Sequence, residues 1–196
     1  IDLTPVRNKR GPARLLDMVE GRSKKVFSAW LAARTQAWRD GIQVVAMDGF
    51  TGFKTASKEH LPDATEVMDP FHVVQLAGDA LDRTRQRVQQ ETLGHRGRAN
   101  DPLYGVRRVL RTGEAFLTDK QQARLDQVFA DPRHADVWRA WRAYQQVVAA
   151  YREKFSGLGR KRLRELIDLL KSTTPAWFTE LRKLAYTLDR RRADIL

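Results

Sequence analysis

The first residue whose type and setting could do chemistry is Asp48, which closes the apolar run Ile42-Gln43-Val44-Val45-Ala46-Met47 and is followed at once by Gly49. The run reads as a strand, so the carboxylate emerges at a strand's C-terminal end, the edge at which α/β sheets place their reactive groups. A carboxylate there can take a hard divalent cation, but an Asp-Gly pair is also a turn signal, and both readings stay open. A second polar group follows in Met68-Asp69-Pro70-Phe71-His72-Val73. If the strands that end at Asp48 and Asp69 are parallel neighbours, these two residues and His72 share one edge and could bind or orient a divalent ion. Otherwise Asp69 caps a helix and His72 packs. His60, His95 and His134 lack metal-ligand spacing.

The elements that must hold these groups fall into two parts. Ile1 to Thr4, Ala13 to Val19, Ile42 to Asp48 and Ala64 to Asp69 are short apolar runs punctuated by Pro, Gly and charge, and read as four strands. The stretch EGRSKKVFSAWLAARTQAWRDG reads as one helix with Gly41 as its stop, and Thr55 to His60 as a short crossover helix. That order implies a mixed sheet in an α/β core. From Val73 onward helical periodicity takes over, which places a boundary there, with a core over 1–72 and a basic helical domain over 73–196. Helices are expected over Val73 to about Glu91, around Val106 to Leu110, over Asp119 to Phe129 and His134 to Phe155, and in two further segments around Leu163 to Leu170 and Trp177 to Leu188. Val137, Trp141, Tyr144, Val148, Tyr151 and Phe155 recur at alternating four and three spacing, a packing seam.

Charge narrows the partners. Lys and Arg number 36 against 24 Asp and Glu, a net +12, of which residues 73–196 carry +10. Of the 25 basic residues there, 20 are arginine, whose planar fork suits phosphate bidentately, which points to a nucleic-acid partner, while a solvated helical surface stays open as the other reading of the charge. The candidate DNA contacts are Arg83, Arg85 and Arg87 on the first helix, Arg96 and Arg98 in the loop GHRGR, and Arg107 and Arg108 beyond it. The absence of cysteine excludes disulfides and thiolate metal sites. No phosphate-binding P-loop, dinucleotide glycine motif or G-x-S-x-G elbow occurs, which disfavours NTPases, dinucleotide enzymes and α/β-hydrolases. No apolar run reaches bilayer length and IDLTPVRNKR is unlike a signal peptide, so no membrane contact and a cytoplasmic location are expected.

The string VVAMDGFTGFKTA, followed by LPDATEVMDPFHVVQLAGDALDRTRQRVQQ, resembles the DDE transposases of bacterial insertion sequences, in particular the L-three family. The likeness extends through IDLTPVR, LLDMVEGRS, GHRGRANDPLYGVRRVL and YTLDRRRADIL, and so covers essentially the whole chain. It implies an RNase H-like core in which three carboxylates hold two Mg²⁺ ions for DNA strand cleavage and transfer, so the fold expected is a partial RNase H-like mixed sheet followed by a mostly α-helical insertion. Asp48 matches the second carboxylate, and Asp69 and His72 match a downstream DxxH element that is accessory to the site. The resemblance places the first Asp before Ile1 and the last Glu after Leu196, so the chain alone is expected to be inactive. A sheet without that first strand keeps unpaired edges, from which a distorted sheet or a homodimer follows. A non-catalytic DNA-binding or assembly module, and an RNase H-like nuclease outside transposition, are the alternatives.

Overall fold

Val44 and Val45 are β-branched residues that favour extended backbone, and they lie in strand β1, Val44–Met47, which pairs in parallel with β2, Thr65–Met68. The computed structural model describes residues 1–95 and 97–196, and in it they form a mostly helical protein with this one small sheet. The chain divides into two compact units, Ile1–Val67 and Met68–Leu196.

In the first unit, α1 (Thr4–Arg7), α2 (Lys24–Ala32) and α3 (Gln36–Asp40) precede β1, and α4 (Thr51–His60) joins β1 to β2. The four-strand mixed sheet is corrected to two parallel strands among the described residues. Of the two strands expected near the N-terminus, a single antiparallel bridge between Asp2 and Arg14 is all that forms among the described residues. Thr4 to Arg7 turns helical because Pro5 supplies the φ of a first helical turn and the Asp2 carboxylate accepts from the Thr4 N–H at 2.8 Å. Leu15, Leu16, Met18 and Val19 stay exposed, since no described segment offers residues 15–19 a ladder to join. The single helix expected over 20–41 is two, because Thr35 interrupts it as an N-cap, its hydroxyl accepting from the Trp38 N–H at 3.3 Å. α2 and α4 pack together, with Phe27 edge-on to Phe53 at 5.4 Å between centroids and Leu31 and Ala56 buried beneath.

In the second unit, α5 (Pro70–Leu93) starts on the cap Asp69 and stops at Gly94, whose φ of 72° is the left-handed conformation that glycine adopts without strain. Then follow α6 (Pro102–Gly105), α7 (Asp119–Phe129), α8 (Ala135–Arg152), α9 (Ser156–Thr173), α10 (Thr179–Arg190) and α11 (Arg192–Ile195). α7 begins on a reciprocal capping box between Thr118 and Gln121. Packing of α5 on α8 and α10, and of α9 on α8 and α10, closes four helices around one apolar core that includes Leu81, Val137, Val147, Ile167 and Leu188. Of the expected seam on α8, Val137, Trp141 and Tyr144 are buried and Val148 and Tyr151 half-buried, while Phe155 lies beyond the helix end and is exposed. The close approach of α8 and α9 depends on Gly159, where an added Cβ would sit 2.5 Å from the Ala150 carbonyl oxygen. Gly159→Ala is therefore expected to force the helices apart and cost about 1–3 kcal/mol, read as a lowered denaturation midpoint.

Candidate active site and basic residues

Asp48 directly follows β1, and its side chain, 17% exposed, is held from two directions. Oδ1 accepts the Phe50 N–H at 2.9 Å, the local turn that an Asp-Gly pair favours, and this fixes the carboxylate just beyond the strand. Oδ2 accepts from the Arg22 guanidinium at 2.6 Å. Arg22 lies just before α2 and is three-quarters exposed, so the ion pair is open to solvent and contributes little to stability. Nothing in the sequence singles this residue out: twenty-six positions separate it from Asp48, and EGRSKK does not mark one cation above its neighbours. Among the described residues no group of three or more His, Cys, Asp or Glu is placed to hold a metal ion. Asp48 itself is a hard oxygen donor, which suits Mg²⁺ in kind.

Asp69 and His72 belong to the second unit. Asp69 is the N-cap of α5, accepting from the Phe71 N–H at 3.1 Å, and its other oxygen lies 3.9 Å from His72 Nδ1. That ring nitrogen is itself buried without a hydrogen-bond partner, as is the Tyr151 hydroxyl. Burial, reinforced by the Asp69 charge, pushes the Tyr151 phenol up to about 12. Nothing in the linear spacing of Tyr151, which places it in an apolar seam, marks this polar burial.

The seven candidate arginines divide by environment. Arg83, Arg98 and Arg108 are exposed. Arg107 stacks over Tyr104, 3.9 Å from the ring centroid, and donates to the Tyr104 carbonyl. Arg85 is buried and spent on Gln89 and Asp82. Arg87 donates to Asp136, Glu180 and Glu91 at 2.9–3.1 Å, and its pKa is raised: burial opposes the charge, and the bonds to those carboxylates outweigh it. Both guanidinium groups are thus engaged within the fold. Arg96 lies outside the described residues.

The family model described as a transposase, of the DDE type and the ISL3 group, matches residues 3–196. The chain belongs to the ISL3 family of DDE transposases. No curated protein and no solved structure matches it. DDE transposases act in DNA transposition and recombination, have DNA as their partner and generally use a divalent metal. No helix among the described residues is long and apolar enough to cross a membrane.

Proposed function

We propose that this transposase chain serves Mg²⁺-dependent cleavage and joining of DNA strands, with Asp48 as one carboxylate of the metal-binding set on an RNase H-like core. The observation that carries the reading is the position of Asp48 at the C-terminal end of a strand in a parallel pair, where its carboxylate is fixed by a backbone N–H and partly open to solvent. A bound pair of divalent ions would supply charge stabilisation to the attacking and leaving oxygens of an in-line displacement. The chain's own contribution is to hold a hard oxygen donor at fixed geometry. Oδ2 is the oxygen that accepts from Arg22, so a cation held at that oxygen would compete with the guanidinium for it. Asp69 and His72 act as accessory groups on α5 and not as members of the carboxylate set.

The remaining carboxylates of the set, one Asp and one Glu, are assigned to segments outside residues 1–196, so this chain by itself is proposed to be inactive. The turn and cap bonds made by Asp48 and Asp69 favour one second reading, a non-catalytic DNA-binding module in which both carboxylates are structural. An assay of strand cleavage and joining on DNA bearing the element's ends, with the complete transposase, separates the two. Products that appear with Mg²⁺ and vanish with chelator are expected, whereas DNA binding without metal-dependent products under any condition would establish the second reading.

A further inference from the structure

The basic residues of the second unit are unevenly neutralised. Arg87 is matched by three carboxylates, Arg111 by Asp79 and Asp82, Lys171 by Asp189, and Arg192 by Asp168 and Asp189. On α10, by contrast, Arg182, Lys183 and Arg190 are exposed and have no carboxylate partner among the described residues. Their spacing of one and seven residues sets them on one side of the helix, opposite the buried Leu181, Leu184, Ala185 and Leu188. Tyr186 stands among them, 67% exposed, with the Arg190 guanidinium over its ring at 5.8 Å. A groove of about 220 Å³ runs between α10 and α5, with Lys183, Thr179 and Thr187 on one wall and Arg83, also exposed and unmatched among the described residues, on the other. Its acidic lining groups are already engaged, Asp79 by Arg111 and Glu180 by Arg87, so the free charges facing it are positive.

We infer that this face, Arg182, Lys183, Tyr186 and Arg190 of α10 with Arg83 across the groove, is a docking surface for the phosphate backbone of duplex DNA. The choice of DNA as occupant rests on the transposase reading; the location rests on the unmatched charges together with the groove and the exposed Tyr186 ring. Ammonium and guanidinium groups that need desert no internal partner bind phosphate at the smallest cost, and the threonine hydroxyls can donate to phosphate oxygens. Tyr186 offers a flat apolar face to a sugar while its hydroxyl stays wet. The exposed arginines legible from the sequence thus contribute Arg83, and the rest of the surface comes from a helix whose basic residues are scattered in the linear text.

The test is fluorescence anisotropy of a short labelled duplex titrated with the chain over a series of salt concentrations. Arg83→Ala/Lys183→Ala/Arg190→Ala is expected to weaken binding at least about tenfold and to reduce the slope of log affinity against log salt by about 3, and Lys183→Gln alone by about 1. The control, Arg160→Ala/Lys161→Ala/Arg164→Ala on the exposed side of α9, removes the same charge and is expected to leave the slope nearly unchanged. All these side chains are exposed, and an unchanged thermal midpoint verifies the fold. Equal losses from the two triple variants, no loss from the first, or no duplex binding by the chain would each overturn the surface. If binding does not map to α10 while metal-dependent cleavage persists in the complete enzyme, only the surface falls. Binding mapped to α10 without such cleavage removes the catalytic reading and leaves the surface.

Discussion

Asp48→Asn is expected to lower DNA strand cleavage by the complete transposase by on the order of 10³ while leaving the fold intact. The asymmetry follows from the bonds described for the carboxylate. Asn keeps a carbonyl oxygen for the Phe50 N–H, so the turn after β1 survives. The lost ion pair involves an Arg22 side chain that is 75% exposed, a class of interaction worth at most about 1 kcal/mol. A metal ligand is a different matter, because charge stabilisation by a bound ion contributes several kcal/mol in the transition state and each 1.36 kcal/mol is tenfold in rate, which sets the order-of-magnitude loss. Rates and denaturation midpoints measured side by side on the variant check the prediction. A midpoint that collapses together with the rate would mark Asp48 as a folding residue.

Arg87→Ala is expected to cost about 3 kcal/mol of stability, seen as a fall in the thermal midpoint on the order of 10 °C. The guanidinium bridges α5 to Glu180 on α10 and to Asp136 on α8, carboxylates whose side chains are only 11% and 17% exposed. Removing it leaves the poorly solvated Glu180 carboxylate without its cation and Asp136 with Arg139 alone, at 3.1 Å, and deprives Phe178 of the cation 5.5 Å above its ring. Glu91 is more than half exposed and contributes little to the effect. Neutralising the survivors in Arg87→Ala/Asp136→Asn/Glu180→Gln is expected to recover part of the loss. A single variant as stable as the parent would show that the network is incidental.

The helices of the second unit were the most legible part of the chain, because a helix writes its buried face every three or four residues in a continuous stretch. Asp119 to Phe129 is an apolar and polar alternation that needs no distant partner to be read, and α7 has those bounds. Strands are different. Ala13 to Val19 has the composition of one, but a strand exists only by pairing, and Leu15, Leu16 and Met18 have no described neighbour to pair with. The division at residues 33–35 was legible in principle, since Thr35 is a good cap, but the apolar spacing on either side ran across it. At the candidate site, Asp48 could be picked out because the end of an apolar run and a following glycine are local signals. Its partner Arg22 and the burial of Tyr151 are long-range facts, fixed by packing between segments. The same holds for the arginines: Arg83, Arg85 and Arg87 look alike in the text, and only the turn of α5 sends one to solvent, one into the core and one into a ring of carboxylates.

The most direct test of Asp48 as a metal ligand is Asp48→Cys in the complete transposase, assayed for strand cleavage in Mg²⁺ and again in Mn²⁺. A thiolate is a poor ligand for hard Mg²⁺ and a better one for a softer transition-metal ion. Inactivity in Mg²⁺ with activity restored in Mn²⁺ is the result expected. Full activity of the cysteine variant in Mg²⁺, or a folded variant as inactive in Mn²⁺ as in Mg²⁺, would contradict the assignment.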